Sequence, residues 1–150
     1  VMIAEHAQIA EILLVEDSEA DVRLCGFALE EANLVHHLHV ASDGDEAIDL
    51  LLGHSEHDVM PRPDLILLDL NLPKRPGYEV LSEIKNDPDL RIIPVVVMST
   101  STSRDDIVRA YELGANCYIP KPSNYDEFVE VVRLIKNFWF SAVALPKYVV

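Results

Sequence analysis

Residues 65–69 have the sequence LILLD, four apolar residues followed directly by an aspartate. The same pattern, an apolar run that ends in polar residues, recurs as ILLVED at 12–17, VVVMST at 95–100 and CYIPKP at 117–122. Short continuous apolar runs are typical of strands that are buried on both faces, as in a parallel sheet. Because the ligand site of an open parallel sheet lies beyond the carboxyl ends of its strands, the polar ends of these runs are expected to meet at one edge.

Amphipathic helical segments alternate with strands along the chain. We predict strands over residues 10–15, 36–41, 64–68, 93–99 and 117–119, and helices over residues 19–32, 44–52, 77–86, 104–113 and 125–142. Ser103 and Asp106 form a capping arrangement at the start of the fourth helix, and Gly114 follows its end. This alternation predicts a three-layer α/β/α sandwich with a parallel five-stranded sheet and helices on both faces.

The bulk properties of the chain favour one globular domain. A length of 150 residues predicts a single domain over 1–150, with a core over about 10–142. The net charge of −14 argues against nucleic-acid binding, because Lys and Arg must neutralise phosphates there. No apolar run approaches the ~18–20 residues needed to span a bilayer, and no signal peptide is evident. Two cysteines do not suggest a disulfide framework, so we expect a cytoplasmic protein without membrane association.

Three acidic residues follow two of the predicted strands. Glu16 and Asp17 follow the first strand, and Asp69 follows the third. Carboxylates this close repel one another, and a hard divalent cation such as Mg²⁺ relieves the repulsion through oxygen ligands. An aspartate can also attack phosphorus as a nucleophile and form an aspartyl phosphate. The acids therefore predict a site for Mg²⁺ and a phosphoryl group.

Ser99 and Lys121 follow the fourth and fifth strands. A lysine at this edge neutralises the charge of a transferring phosphoryl group, and the serine hydroxyl can donate a hydrogen bond to it. Pro120 and Pro122 flank the lysine and fix its backbone. The Lys121–Pro122 peptide bond is a candidate for the rare cis form.

The chain resembles the receiver domain of bacterial two-component response regulators over nearly its whole length. The matching stretches are ILLVEDS at 12–18, PDLILLDLNLPKRPGYEVL at 63–81, IPVVVMSTS at 93–101 and GANCYIPKP at 114–122. The resemblance implies a flavodoxin-like (βα)5 fold with the strand order 2-1-3-4-5. It also implies a signalling switch rather than an enzyme, with partly self-catalysed phosphotransfer and dephosphorylation.

The resemblance assigns a role to each residue at the predicted edge. Asp69 matches the phosphoryl acceptor, and Lys121 matches the lysine that contacts the phosphoryl group. Glu16 and Asp17 match the acid pair that holds Mg²⁺ together with Asp69, and the backbone carbonyl of Asn71 matches a further ligand. Glu16 stands where the family often has aspartate.

Three further residues match the conformational switch of the family. Ser99 matches the switch hydroxyl, which moves towards the phosphoryl group. Tyr118 matches the aromatic residue that swings inward into the space left by the hydroxyl. Thr100 is expected at the mouth of the site, where it affects the access of water.

Two departures from a minimal receiver are similar to the single-domain response regulators of cyanobacterial phytochromes. One is the extended loop at 53–63, and the other is the C-terminal segment at 137–146 with the sequence NFWFSAVALP. This closer resemblance implies that the phosphoryl donor is a phosphohistidine on a light-sensing, phytochrome-type sensor histidine kinase.

The C-terminal aromatic residues also indicate an interaction surface. At ~100° per residue, Phe138, Trp139 and Phe140 span about 200° of a helix, so one core face cannot hold them all. Exposed aromatic surface is typical of protein interfaces. We therefore expect a homodimer through the fourth helix, the fifth strand, the fifth helix and these aromatics; the alternative is a tail that folds back on its own domain. The predicted core stripe of the fifth helix contains Phe128, Val131, Val132, Ile135 and Trp139.

Two other functions fit part of the pattern. Phosphatases and phosphotransferases of the haloacid-dehalogenase type also use an aspartate after a buried strand, but they need a second acid two residues later, and here that position is Asn71. A purely structural interaction module would leave the acids unused. In that case Asp69→Asn would leave partner binding unchanged.

Histidines cluster around the second predicted strand. His36, His37 and His39 suggest metal binding by their spacing, but no matching ligands are evident in the sequence. Surface and edge positions are therefore expected for them, and His54 and His57 in the loop carry no stronger signal.

Overall fold

The computed structural model describes residues 9–53 and 60–146. Its strands are β1 (Ala10–Val15), β2 (His36–Ala41), β3 (Leu65–Leu68), β4 (Val95–Ser99) and β5 (Cys117–Pro120). Its helices are α1 (Glu19–Glu31), α2 (Gly44–Leu52), α3 (Gly77–Asn86), α4 (Arg104–Glu112) and α5 (Tyr125–Asn137), followed by a π-helical turn at Phe138–Ala142. No helix within these described residues is long and apolar enough to cross a membrane.

The strands form one parallel sheet in the order β2-β1-β3-β4-β5. This confirms the expected flavodoxin-like topology. The three central strands, β1, β3 and β4, are buried along their whole length. Their burial explains why their sequences are continuous apolar runs without alternation.

The core has two layers, one on each face of the sheet. On one face, α1 and α5 pack over residues such as Ile12, Leu67 and Val96. On the other face, α2, α3 and α4 pack over Leu13 and Ile66, among others. The predicted three-layer sandwich is therefore confirmed. Because all five strands are parallel, their carboxyl ends lie at one edge of the sheet.

Polar side chains fix where the helices begin. Ser18, Asp43, Ser103 and Asn124 each accept a hydrogen bond from a backbone N–H in the first helical turn. The predicted capping of α4 by Ser103 is confirmed, with Asp106 as the donor residue. Gly114 follows the end of α4 with a φ of +104°, a conformation that favours glycine.

The C-terminal segment differs from the prediction of one helix over 125–142. The α-helix ends at Asn137, and Val143 N–H donates to the carbonyl of Phe138 in the π-helical turn. Trp139 and Phe140 pack against the α1–α5 side of the core, while Phe138 is 53% exposed. The wider turn therefore divides the aromatic residues between the core and the surface.

Two smaller expectations differ from the structure. The cis form expected at Lys121–Pro122 is wrong, since no peptide bond among the described residues is cis. The trans form of an X–Pro bond is favoured by about 0.5–1 kcal/mol, and no tight turn here requires the other form. Strand β4 begins at Val95 rather than residue 93, because Ile93 N–H donates to the carbonyl of Leu90 in a turn and Pro94 has no N–H to donate. The loop at 53–63 lies partly outside the described residues, and the extent of the domain over 1–150 stays a prediction.

Candidate functional site

The acidic residues meet at the carboxyl edge because β1 and β3 are neighbours. Val15 pairs with Leu68, so the residues that follow each strand lie side by side. Glu16 and Asp69 are buried, with 4% and 7% exposed, whereas Asp17 is exposed. One carboxylate oxygen from each of the three residues lies within 4.8 Å of the others. The structure thus brings the predicted acids together.

Lys121 reaches into this acidic cluster from the end of β5. Its ammonium nitrogen lies 2.6 Å from Glu16 Oε1, 3.0 Å from Asp21 Oδ2 and 3.4 Å from Asp69 Oδ2. Its backbone N–H donates to the carbonyl of Ser99 over 2.7 Å, which fixes the backbone beside β4. The side chain is only 14% exposed, so its charge interacts with the carboxylates under weak solvent screening.

Burial and the neighbouring charges shift the protonation of this pair. The pKa of Glu16 is raised to about 7, because burial and the nearby Asp69 raise it by more than the hydrogen bond from Lys121 lowers it. Burial lowers the pKa of Lys121, but its hydrogen bonds to Glu16 and Asp21 and the charge of Asp69 outweigh burial, so its pKa lies above the ordinary value. The lysine is therefore charged, and the buried glutamate takes up a proton more readily than a glutamate in water.

The donor set fits a divalent cation. Three carboxylates lie within reach of one ion, and oxygen ligands are those that hard divalent cations prefer. The ammonium of Lys121 already lies between the carboxylates of Glu16 and Asp69, where its positive charge offsets part of their negative charge. Asn71 N–H donates to Asp69 Oδ1 over 3.1 Å and orients that carboxylate. Ion binding would add the charge that one lysine does not supply.

Ser99 and Tyr118 lie on β4 and β5, next to the acidic cluster. Ser99 is fully buried, and its Oγ accepts a hydrogen bond from Ser101 N–H over 3.1 Å, which leaves its hydroxyl proton available to a ligand. The Tyr118 hydroxyl donates to the carbonyl of Ser101 over 2.8 Å. Thr100 is exposed at the same loop. The segment around Ser101 thus contacts both residues of the predicted switch.

Comparison with known proteins decides the family. Residues 12–133 match the response regulator receiver domain. The chain is 49% identical to response regulator Rcp1 of Synechocystis sp. over 135 residues, which cover 90% of this chain and 92% of that protein. The chain belongs to the response regulator receiver-domain family. As a receiver domain, it is a component of two-component signalling.

Solved structures agree with this assignment. The Mn²⁺-bound form of response regulator Rcp1 superposes with a TM-score of 0.84 at 48% identity, covering 91% of this chain and 99% of that one. The phosphorylated cyanobacterial phytochrome response regulator RcpA superposes with a TM-score of 0.87 at 48% identity, covering 93% and 99%. The receiver domain is therefore close to cyanobacterial phytochrome response regulators, and the haloacid-dehalogenase alternative is set aside.

Sequence reasoning missed one acid of the receiver site. Asp21 lies in the first turn of α1, and its carboxylate accepts a hydrogen bond from Lys121. An acid in a first helical turn is ordinarily read as favourable to the helix dipole, so its sequence signal pointed elsewhere. Asp17 precedes the helix, whose N-cap is Ser18, so no helical spacing relates Asp21 to the acid pair.

Gly77 supports the site by its lack of a side chain. A Cβ at this position would meet the carbonyl oxygen of Asp69 and would lie 2.5 Å from the Cα of Leu70. Gly77 N–H donates to the carbonyl of Leu70 over 3.0 Å. The start of α3 therefore lies directly against the backbone of Asp69, and only glycine permits this approach.

Proposed function

We propose that this receiver domain is a phosphoryl-accepting switch, in which Asp69 takes a phosphoryl group from the phosphohistidine of a sensor histidine kinase. The observation that carries the proposal is the position of Lys121, whose ammonium contacts both Glu16 and the carboxylate of Asp69 at the carboxyl edge. A buried carboxylate beside a fixed cation is suited to become, and to remain, a dianionic aspartyl phosphate.

The proposed transfer requires only these groups and a divalent cation. A carboxylate oxygen of Asp69 attacks phosphorus, an O–P bond forms, and the P–N bond to the donor imidazole breaks, after which that imidazole takes up a proton. Glu16, Asp17, Asp69 and the backbone carbonyl of Asn71 would hold Mg²⁺, which would neutralise charge on the phosphoryl oxygens when bound. Lys121 neutralises charge on the same oxygens from the other side.

The conformational response proceeds through Ser99 and Tyr118. The Ser99 hydroxyl donates to a phosphoryl oxygen and moves towards it, and Tyr118 fills the space that it leaves. In this structure the Tyr118 ring packs against the core, and its hydroxyl donates to the carbonyl of Ser101 over 2.8 Å. A rearrangement that displaces this hydroxyl would break the hydrogen bond. The switch is thus a shift between two populated states, whose balance depends on the interactions that stabilise one state more than the other.

The relatives support a proposal for the phosphoryl donor. RcpA is a cyanobacterial phytochrome response regulator, and the chain is 48% identical to it. We infer that the donor is a phytochrome-type, light-sensing histidine kinase in the cytoplasm. The net charge of −14 agrees with output through protein contacts rather than nucleic acid.

A homodimer through α4, β5 and α5 is the proposed route of output. Exposed apolar side chains lie on α4 and on the end of α5: Val108, Tyr111, Leu134 and Phe138. Phe138 stacks edge-to-face on Trp139 at 5.0 Å between ring centroids. Rigid aromatic side chains are favoured interface anchors. Light scattering at micromolar concentration should give a dimer, and a monomer with and without phosphorylation would contradict it.

The experiment that tests the phosphoryl acceptor is intact-mass measurement after incubation with acetyl phosphate and Mg²⁺. The wild type should gain one phosphoryl group, Asp69→Asn should gain none, and EDTA should abolish the gain. Asp105→Asn, which changes an exposed acid in the first turn of α4, is the matched control and should react like the wild type.

Beryllofluoride, a stable phosphoryl mimic, distinguishes rapid loss from failure to react. Binding of beryllofluoride to the wild type, but not to Asp69→Asn, would show an acceptor whose phosphoryl group is short-lived. If neither acetyl phosphate nor beryllofluoride modifies the folded wild-type protein, the proposal is overturned. An interaction module whose acids are unused would then be favoured.

A further inference from the structure

The edge strand β2 presents two histidines to a buried glutamate of β1. Glu11 Oε1 accepts a hydrogen bond from His37 Nδ1, and Glu11 Oε2 accepts one from His39 Nε2, both over 2.7 Å. Ligand atoms of the three residues all lie within 4.8 Å of one another. The sequence-based expectation that these histidines lack a matching ligand is therefore wrong.

The parallel register creates this cluster. Glu11 pairs with His37, and Leu13 pairs with His39. Side chains two residues apart on a strand point to the same face, so both rings flank the same glutamate. Glu11 is 8% exposed, and its backbone N–H donates to Asp64 Oδ2, which fixes the start of β1. The glutamate is thus held by the sheet, while both histidines approach it from the edge.

The cluster keeps its anionic member charged. Burial raises the pKa of Glu11, but hydrogen bonds from His39 and His37, together with their charge, outweigh burial and hold the pKa below its usual range. The side chains of His37 and His39 are 57% and 27% exposed, so an ion from solvent can reach the ring nitrogens. The cluster thus combines a fixed carboxylate with two imidazoles whose side chains are partly exposed to solvent.

We propose that Glu11, His37 and His39 form a binding site for a first-row transition-metal ion, with Zn²⁺ as the ion that its three ligands fit best. Two imidazole nitrogens and one carboxylate oxygen suit Zn²⁺, which commonly takes three protein ligands and leaves a fourth position to water. Binding would replace the two hydrogen bonds with metal–ligand bonds of about 2.0–2.2 Å.

This site differs from the acidic cluster in both position and chemistry. Glu11 lies near the start of β1 and Glu16 follows its end, a separation of roughly 16 Å at about 3.3 Å per residue. Mg²⁺ prefers oxygen ligands and would not compete for two imidazoles. Excess Mg²⁺ therefore blocks the acidic cluster while leaving the Glu11–His37–His39 site free.

Isothermal titration with Zn²⁺ in the presence of excess Mg²⁺ tests the proposal. The wild type should bind one Zn²⁺, and the double variant His37→Ala/His39→Ala should bind it at least about 100-fold more weakly, since even supporting residues around a metal contribute about 10–100-fold. His36→Ala is the matched control, because its Nδ1–H donates to the carbonyl of Leu34 rather than to Glu11. That variant should bind Zn²⁺ like the wild type.

The variants leave Glu11 in place, but the double variant removes both histidine partners of its buried carboxylate, so folding has to be checked. Far-ultraviolet circular dichroism checks that each variant is folded. If the double variant does not fold, the single variants His37→Asn and His39→Gln provide milder changes. Co²⁺ in place of Zn²⁺ should give visible absorption typical of nitrogen and oxygen ligands in the wild type and in His36→Ala only.

Two results would overturn the site. One is wild-type affinity for Zn²⁺ weaker than millimolar, and the other is equal affinity in folded wild type and histidine variants. Neither result bears on phosphorylation of Asp69, which is measured by intact mass without Zn²⁺. The failure of this inference is thus distinguishable from failure of the proposed function.

Discussion

The ammonium of Lys121 lies 2.6 Å from a carboxylate oxygen of Glu16, although 105 residues separate them in the chain. One follows β5 and the other follows β1, so two strands, β3 and β4, lie between them in the sheet. The same ammonium also lies 3.4 Å from Asp69 Oδ2, so the contact is next to the carboxylate of Asp69. A cation that binds to the acids must therefore displace or share this lysine, and its binding is coupled to protonation of Glu16.

We expect the affinity for Mg²⁺ to rise with pH. Burial raises the pKa of Glu16 to about 7, so a proton competes with the ion below that value. The apparent affinity should be about tenfold tighter at pH 8 than at pH 6, measured by isothermal titration. Glu16→Gln keeps one oxygen ligand but cannot titrate, so its pH dependence should be shallower. Equal wild-type affinities at the two pH values would contradict the prediction.

The same group makes stability in EDTA depend on pH. Because the folded pKa of Glu16 lies above its ordinary value of 4.5, the folded state binds the proton more tightly than the unfolded state. Its stabilising contribution is complete below pH 4.5 and is lost as pH rises through about 7. The free energy of unfolding, wild type minus Glu16→Gln, should fall by about 2 to 3 kcal/mol over this interval. A difference that stays constant in urea titrations would show that Glu16 has an ordinary pKa.

The strands and the acidic cluster could be predicted because both depend on local sequence and one topological rule. The run at 65–69 is too apolar for a surface strand, and a parallel sheet brings the residues after such runs to one edge. Glu16, Asp17 and Asp69 were therefore predicted together. The order of the strands came from the family resemblance, since apolar runs alone do not specify which strands are neighbours.

Contacts that depend on register and on helix geometry could not be predicted. Glu11 meets His37 only because β1 and β2 pair in one particular alignment, and the sequence between them does not specify it. Asp21 resembles an ordinary first-turn acid until Lys121 is placed beside it. The π-helical turn after Asn137 was missed because apolar spacing does not distinguish it from a continuing α-helix.

Replacing Gly77 with alanine should destabilise the domain and distort the site. The new Cβ would meet the backbone of Asp69 and Leu70, which cannot move without displacing the loop after β3. We expect a loss of about 2 kcal/mol or more in urea unfolding, and weaker binding of Mg²⁺.

The matched control for this change is Gly26→Ala in the middle of α1. A Cβ there has nothing within 4 Å, and alanine is the better helix former. This variant should be more stable than the wild type by roughly 0.5–1 kcal/mol, with unchanged Mg²⁺ affinity. If the two glycine variants had the same effect, close approach to Asp69 would not be the cause.

Lys85 should be the lysine whose loss costs most stability outside the site. Its ammonium donates to the carbonyls of Arg91 and Ile93 over 3.0 and 2.8 Å and to the Asn116 side chain over 3.1 Å. The Asn116 oxygen in turn accepts from the N–H of Val95, so Lys85 joins α3 to the start of β4 and the loop before β5. Burial lowers the pKa of Lys85, because its charge is held partly out of water. Lys85→Met keeps the length of the side chain but removes the ammonium donor from the carbonyls of Arg91 and Ile93 and from the Asn116 oxygen.

The expected loss for Lys85→Met is about 2–3 kcal/mol, because hydrogen bonds to charged groups contribute more than neutral ones and this ammonium makes three of them. Lys136→Met removes a single hydrogen bond, to the carbonyl of Ala32 over 2.7 Å, and should cost about 1 kcal/mol. Urea unfolding at pH 7 measures both. Equal losses for the two lysines would mean that the junction at Asn116 is held by the backbone alone. A larger loss for Lys85 that persists in high salt would confirm that Lys85 acts through its hydrogen bonds. General attraction of a lysine to an acidic protein would instead weaken in high salt.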